Sequence, residues 1–180
     1  MRATLRYHKN MSTVPLIPQK MSVDEYLRTS FDGPDLEYLD GELVERNMGN
    51  LSHSRVQAVL ASLLMAEEHR TGLFVVTELR GRVSPNRYRI PDVSVFASRP
   101  AEQVPAHPPL VAIEILSPDD RIGYVIPKLV ELQRWGVENI WIVDPDDRKL
   151  FVYSESGLNE VTSLELPAHD ISISASALFR

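Results

Sequence analysis

The sequence predicts an α/β fold in which a mixed β-sheet is flanked by helices. Residues 51–70 carry apolar side chains at helical spacing, which indicates an amphipathic helix. Two apolar runs, at 110–116 and 139–145, are typical of buried strands, and a helix signal lies between them. A strand, a helix and a second strand in this order form a crossover between parallel strands. The Asp40-Gly41 pair between apolar-rich arms predicts an additional β-hairpin near the N-terminus.

The boundaries of two other helices follow from capping signals. Residues 22–29 predict a short helix, because Ser22 can cap its start and Glu25 completes a capping box three residues later. A later helix is predicted from Pro127 to Trp135, because proline is favoured in the first turn and a glycine follows the last residue. These signals place one helix before the hairpin and one inside the crossover.

Further strand signals complete the predicted sheet. Residues 73–79 and 90–96 are apolar runs rich in β-branched side chains, and a Ser-Pro-Asn turn at 84–86 lies between them. Residues 149–155, together with the segment after Leu158, predict strands towards the C-terminus. From the long helix onward, the predicted order is helix, strand, strand, strand, helix and strand.

Length and composition predict a single globular domain. The chain has 180 residues, of which 43% are hydrophobic and 24% are charged, which is enough for a hydrophobic core. It contains no cysteine, which excludes disulfides and cysteine-ligated zinc and fits a reducing compartment, so we expect a cytoplasmic protein. No apolar run approaches the roughly 20 residues that a membrane-spanning helix requires, so we expect no membrane partner.

The N-terminal segment differs in charge from the rest of the chain. Residues 1–20 carry four lysines and arginines and no acidic residue, and we expect them to form a flexible basic tail before a domain over residues 21–180. The net charge is −6 for the whole chain and about −10 for that domain. An acidic domain is a poor general nucleic-acid binder. Binding to DNA would therefore depend on a local basic patch or on bound metal ions.

Two acidic residues stand where the predicted strands are otherwise apolar. Glu114 lies inside the run 110–116, where an unpaired carboxylate is costly to bury, so it either has a partner or lies at the rim of a cleft. Asp92 follows Pro91, which marks a strand start, an edge or a bulge and could aim the carboxylate towards Glu114. Two carboxylates brought together repel each other. A hard divalent cation such as Mg²⁺ relieves that repulsion.

Several motifs in order resemble a known family. The segments PDVSVF, VAIEILSPDDR and PKLVELQRWGVENIWIVDP are similar to those of the PD-(D/E)XK nuclease superfamily, and more narrowly of the bacterial Uma family of restriction-endonuclease-like proteins. The resemblance extends from MSVDEYL through FVYSE, which is most of the chain. It implies a restriction-endonuclease-like core to which the hairpin is an N-terminal addition. It also implies metal-dependent hydrolysis of DNA phosphodiester bonds, with Mg²⁺ or Mn²⁺ as cofactor.

The same resemblance implies which residues would form the site. Asp92 and Glu114 correspond to the two acidic metal ligands. The motif places a lysine two positions after the second acid, where this chain has Leu116, and the resemblance assigns that role to Lys128 in the following helix. Lys128 would offset developing negative charge as a compact cation. Without the resemblance, Lys128 is typical of a solvated helix residue.

A further acidic residue is expected to complete the catalytic set. Glu37 in the predicted hairpin is the candidate, with Glu42 and His53 as alternatives. All of these residues also have structural explanations, because hairpin glutamates are commonly exposed and a histidine near a helix start commonly packs. In the same way, Glu114 could form a structural ion pair and Asp92 could belong to a turn beside proline.

Four arginines form the dense basic cluster of the domain. They flank the Ser-Pro-Asn turn and are Arg80, Arg82, Arg87 and Arg89. Their i, i+2 spacing places each pair on one face of a strand, from which they could contact a nucleic-acid backbone. The alternative is the solvated face of an exposed hairpin.

Three functions remain open at this point. The first is a Mg²⁺-dependent endonuclease that acts on DNA, for which a homodimer would suit cleavage of both strands. The second is a catalytically inactive relative that binds nucleic acid or protein, which Leu116 and the acidic net charge favour. The third is a metal-dependent hydrolase of another phosphodiester.

Overall fold

The chain folds into helices and strands that the sequence largely anticipates. The computed structural model describes residues 20–31, 36–47, 49–118, 120 and 122–179. The basic tail predicted over residues 1–20 therefore lies, apart from Lys20, outside the described residues. The helices are α1 (Val23–Arg28), α2 (Leu51–Met65), α3 (Glu68–Thr71), α4 (Ile122–Trp135) and α5 (Ala175–Leu178), with a 3₁₀ turn over Pro167–His169. The strands are β1 (Glu37–Leu39), β2 (Glu42–Val44), β3 (Phe74–Thr77), β4 (Gly81–Ser84), β5 (Arg87–Arg89), β6 (Val93–Phe96), β7 (Val111–Ile115), β8 (Asn139–Asp144), β9 (Lys149–Ser154), β10 (Gly157–Val161), β11 (Ser163–Leu166) and β12 (Ile171–Ser174).

A six-stranded mixed sheet forms the centre of the described structure, in the order β10-β9-β8-β7-β6-β3. Strand β7 pairs with β8 in parallel, and α4 is the crossover that connects them. The remaining neighbours in this sheet pair antiparallel. The predicted mixed sheet and its crossover are therefore confirmed.

Apolar clusters cover both faces of the central sheet. Leu60 of α2 packs on one face in a cluster that includes Ile113 and the C-terminal hairpin β11–β12. Leu132 of α4 packs on the other face, in a cluster that includes Ala112. Successive side chains of a strand point to opposite faces. Glu114 therefore lies on the α4 side of β7, together with Ala112.

The predicted hairpin belongs to a second, four-stranded sheet of order β2-β1-β5-β4. Asp40 and Gly41 form its turn with φ values of 53° and 98°, the left-handed conformations that a two-residue hairpin turn requires. Tyr26 of α1 packs against this sheet, with its ring centroid 5.0 Å from that of Tyr38 and 5.5 Å from that of Tyr88. The aromatic cluster therefore packs α1 onto the second sheet.

Two helix boundaries were predicted with different success. Ser22 caps α1 and the capping box with Glu25 is formed, which confirms that prediction. The predicted start of α4 is wrong, because the helix begins at Ile122 and Pro127 lies inside it. A proline inside a helix leaves the carbonyl four residues earlier without its hydrogen bond. Here that carbonyl belongs to Gly123, which is exposed and accessible to water.

The long helix predicted over residues 51–70 is divided into α2 and α3. Gly72 ends the second part with φ at 75°, a conformation that glycine adopts without strain after a helix. None of the helices in the described ranges is long and apolar enough to cross a membrane.

Candidate active site

Asp92 and Glu114 face each other on two adjacent strands. In the antiparallel pair β6–β7, Val93 lies opposite Ile113, so extending the register by one residue places Asp92 opposite Glu114. Opposed residues of an antiparallel pair point to the same face of the sheet. Both acids are buried, with 3% of Asp92 and 8% of Glu114 exposed. The fold therefore brings two buried carboxylates together.

Three donors hold the Asp92 carboxylate. Its Oδ2 accepts a hydrogen bond from the backbone N–H of Ile115 at 2.7 Å and lies 3.4 Å from Nε2 of His53. Its Oδ1 lies 2.5 Å from a guanidinium nitrogen of Arg46. Although burial opposes ionisation, these partners hold the pKa of Asp92 below its ordinary value. The hydrogen bond to Asp92, against the effect of burial, raises the pKa of His53.

Lys128 lies between two glutamates. Its Nζ is 2.8 Å from Oε2 of Glu114 and 3.0 Å from Oε1 of Glu37. A third contact, of 3.2 Å, joins Nζ to the carbonyl oxygen of Ile90. These acceptors match the three N–H groups of an ammonium ion. Although burial opposes its charge, the surrounding carboxylates raise the pKa of Lys128, so it is positively charged at neutral pH.

Glu114 is the acid with an unfilled acceptor. Its Oε2 accepts from Lys128, but among the described residues Oε1 has no hydrogen-bond partner, although that atom is buried. Burial raises the pKa of Glu114 to about 7; Lys128 opposes this increase, and the nearby carboxylates add to it. Near neutral pH this oxygen can therefore hold either a proton or a cation.

A chain of ion pairs joins this cluster to the second sheet. Glu37 accepts from Arg89 at 2.6 Å through Oε2, and from the backbone N–H of Ile90 at 3.0 Å through Oε1. Arg89 also donates from Nε to Glu131 of α4 at 2.7 Å, and Glu131 pairs with Arg87 as well. These contacts tie β1, β5 and α4 together around the buried lysine.

The buried cluster lines a cleft of about 440 Å³, a volume typical of small-molecule sites. Apolar side chains, including Leu116 and Val125, complete its wall. At the cleft, the side-chain amide of Asn47 donates to Asp120 at 2.6 Å. This contact joins the segment after β2 to the segment after β7.

The donor set fits a hard divalent cation. Glu114 Oε1 has unused acceptor capacity, and Asp92 Oδ1 already accepts a positively charged group. Mg²⁺ is commonly bound by one or two carboxylates, with waters and substrate phosphates as the other ligands. Within the described ranges, no group of three or more His, Cys, Asp or Glu side chains could hold a metal ion. The residues therefore allow a site with two carboxylates, Asp92 and Glu114.

A family model described as "Putative restriction endonuclease" matches residues 23–179, which include the whole cluster. The chain belongs to the Uma2 family. The resemblance predicted from the motifs is thereby confirmed. No curated protein matches the chain.

Solved structures show that this Uma2 protein shares its fold with a protein described as a nuclease. The crystal structure of a protein from Anabaena variabilis, described as a "putative nuclease belonging to DUF820", matches with a TM-score of 0.76 at 24% identity, covering 87% of this chain and 96% of that chain. This identity level shows the fold alone. A cryo-EM structure of a DrdV–DNA complex matches at a TM-score of 0.42 and 20% identity, covering 61% of this chain and 10% of that chain.

The four predicted catalytic residues of the Uma2 chain lie in one cluster. They are Asp92, Glu114, Lys128 and Glu37. Of the two alternatives, His53 contacts Asp92, whereas Glu42 is exposed on β2. The structure thus places these residues, while their roles as catalytic groups or metal ligands remain predictions.

The predicted nucleic-acid-binding arginines have four different environments. Arg89 is buried and bound to two carboxylates, so its guanidinium does not face solvent. Arg87 is partly exposed and pairs with Asp40 and Glu131. Arg82 is exposed, and Arg80 lies 5.1 Å above the ring of Tyr26. The i, i+2 rule predicts which strand face a residue occupies, but not that α4 covers the face on which Arg89 lies.

Two residues of the cluster were missed from the sequence. Glu131 follows Lys128 by three positions, so the helical period predicts that both residues lie on the same face of α4. Arg46 follows β2, and the path of the chain after a strand has no periodic signal. Its contact with Asp92 could therefore be found only in the structure.

Proposed function

We propose that this Uma2 protein is an endonuclease that hydrolyses DNA phosphodiester bonds with Mg²⁺ or Mn²⁺. The observation that carries the proposal is the buried Oε1 of Glu114, which has no partner among the described residues and belongs to a carboxylate opposite Asp92. An unsatisfied carboxylate oxygen in a buried position is costly, and a bound cation would satisfy it. Asp92 and Glu114 are the residues that would hold the metal ion.

A bound divalent cation supplies an activated water and stabilises negative charge on the scissile phosphate. The residues around it would set the geometry for that chemistry. Ile115 fixes the Asp92 carboxylate through its backbone N–H, and Lys128 fixes the Glu114 carboxylate through Nζ. Both acids are therefore oriented by bonds that do not depend on solvent.

Lys128 is suited to be a fixed positive charge rather than a base. The surrounding carboxylates raise its pKa, although burial opposes its charge, so the ammonium group does not lose its proton at neutral pH. From its position beside Glu114, it would stabilise negative charge that develops on a phosphate oxygen. This role matches the one that the motif gives to the lysine that Leu116 replaces here.

DNA as the substrate is supported by the family description and by the position of the arginine-bearing strands. Arg82 on β4 is exposed, and Arg87 on β5 is a third exposed at its side chain. Arg87 lies on the same face of this sheet as Glu37, so a duplex backbone bound at Arg87 would approach the cleft. Arg82 lies opposite Tyr88 on the other face of the sheet. Arg89 is left out of this surface because it is buried.

A catalytically inactive binding module is the second candidate, and one observation favours it. Each carboxylate of the cluster already has a cationic partner in the fold: Arg46 for Asp92, Lys128 for Glu114, and Arg89 for Glu37. Such pairs could stabilise the fold without any metal ion. The two candidates differ in metal binding, which an inactive module does not need.

The test is nicking of supercoiled plasmid with Mg²⁺ or Mn²⁺ by the wild type and by Asp92→Asn and Glu114→Gln. We expect the wild type to nick and both variants to lose at least about 100-fold in rate, the scale of catalytic groups that act together. Glu42→Gln is the matched control, because it removes one exposed carboxylate on β2 and should nick at the wild-type rate.

Lys128→Met is assayed at a temperature at which circular dichroism shows that it is folded. Loss of nicking would assign Lys128 to catalysis, and retained nicking would keep the metal site without it. If the folded wild type neither nicks DNA nor binds Mn²⁺, the binding module is the correct function.

A further inference from the structure

Arg46 forms an ion pair with the Oδ1 oxygen of the Asp92 carboxylate. The side chain of Arg46 is 17% exposed, and its guanidinium lies 2.5 Å from Oδ1 of Asp92. The other oxygen, Oδ2, already accepts the backbone N–H of Ile115 and faces His53. A cation that binds Oδ1 of Asp92 must therefore share that oxygen with Arg46 or displace Arg46 from it.

Asp92 is held firmly, whereas Arg46 is held mainly by Asp92. The backbone carbonyl oxygen of Asp92 accepts a hydrogen bond from the side chain of Gln57 at 3.0 Å and from the backbone N–H of Glu78 at 3.2 Å. These two bonds hold the backbone of Asp92 in place. The other ion pair of Arg46 in the described structure, with Glu78, is long at 3.8 Å, and the Glu78 side chain is half exposed. The arginine can therefore leave without disturbing the carboxylate.

The position of Arg46 in the chain also suits displacement. It follows β2 directly after Glu45, outside any strand or helix, and its neighbour Asn47 bonds to Asp120 across the cleft. Movement of the side chain breaks no backbone ladder.

We propose that Arg46 is the resident counter-ion of the metal position and that a divalent cation displaces it from Oδ1 of Asp92. This inference rests on the proposed metal site and adds its regulation. Arg46 balances the charge of the buried Asp92 carboxylate when no metal is bound, and it weakens metal binding because the two cations compete for one oxygen. After displacement its guanidinium remains in the cleft, where it can contact a phosphate group.

The test is a Mn²⁺ titration of the full chain, in which electron paramagnetic resonance reports free Mn²⁺. We expect Arg46→Gln to bind Mn²⁺ at least about tenfold more tightly than the wild type, the equivalent of about 1.4 kcal/mol. Arg46→Lys keeps the charge and should stay closer to the wild type. Arg55→Gln is the matched control, because it removes the same charge from an exposed position on α2 and should change affinity by less than about twofold in salt.

The outcomes separate this inference from the proposed function. Suppose that the wild type binds Mn²⁺, that Asp92→Asn abolishes this binding, and that Arg46→Gln binds Mn²⁺ no more tightly than the wild type. The proposed metal site then stands, but the proposed competition between Arg46 and the metal ion is wrong. If no variant binds Mn²⁺, both proposals fail. Should Arg46→Gln not fold, a crystal structure of the wild type with Mn²⁺ decides: the guanidinium must leave Oδ1, and a structure with both cations on that oxygen overturns the inference.

Discussion

Two lysine–glutamate pairs in this protein have similar geometry and opposite environments. Lys128 lies 2.8 Å from Glu114, and their side chains are 14% and 11% exposed. Lys149 lies 3.1 Å from Glu160, and their side chains are 43% and 56% exposed. Water screens the second pair, whereas burial strengthens both the attraction and the desolvation cost of the first. Distance alone therefore does not tell which pair matters.

The buried pair is also part of a larger cluster of ion pairs. Lys128 contacts Glu37 as well as Glu114, and Glu37 is bound to Arg89. Removing one member of such a cluster leaves several charges without compensation. The exposed pair joins β9 to the edge strand β10, where each charge can be solvated.

The largest expected effect is that of Lys128→Met on stability. The variant leaves two buried glutamates without their shared cation, so we expect the free energy of unfolding to fall by about 3–5 kcal/mol. Urea unfolding at pH 8, without metal, measures this loss. A loss below about 1 kcal/mol, typical of surface pairs, would show that the cluster is more accessible to water than the structure indicates.

A smaller effect is expected in the pH dependence of stability. The pKa of Glu114 is raised to about 7 by burial in the folded state, so the folded protein binds this proton more tightly than the unfolded chain. Its contribution to stability is therefore present below about pH 4.5 and is lost as the pH rises to about 7. Across this window we expect about 3 kcal/mol of stability to be lost in the metal-free wild type, relative to Glu114→Gln.

The comparison with Glu114→Gln isolates this residue from other titrating groups. Asp92 and Glu37 have lowered pKa values, so their contributions are lost on acidification, and His53 has a raised pKa, so its contribution is lost at higher pH. These groups are common to both proteins. Parallel stability curves for wild type and Glu114→Gln between pH 4.5 and 7 would contradict the raised pKa.

The sequence predicts the Glu114 side of the site better than the Asp92 side. The strand period predicts that Glu114 lies on the face opposite Ile113, and the structure shows that α4 packs on the Glu114 face. The family resemblance assigned Lys128 to the site, and the regular geometry of β7 and α4 explains how its side chain reaches the carboxylate. Side-chain positions in helices and strands can be predicted from the sequence, because backbone geometry fixes the side-chain directions there.

The partners of Asp92 depend on features without such regularity. Arg46 reaches it from an irregular segment, and His53 reaches it from the start of a helix that Asn50 caps at 2.9 Å. Burial of Arg89 likewise depends on where Glu131 of another element lies. These contacts depend on the path of a loop and on the placement of helices, which the sequence pattern does not predict.

The smallest expected effect is that of Lys149→Met, the exposed counterpart of Lys128→Met. Glu160 remains solvated after the change, so no buried charge is created and no measurable shift in the urea midpoint is expected. The measurement is the same unfolding curve at low and high salt. Because screening acts on exposed charges, any small difference between variant and wild type should vanish at high salt. If Lys149→Met instead destabilised the protein as much as Lys128→Met, the geometry of each pair and not its burial would determine its contribution to stability. The buried environment of the candidate site would then not explain the effect of its charges on stability.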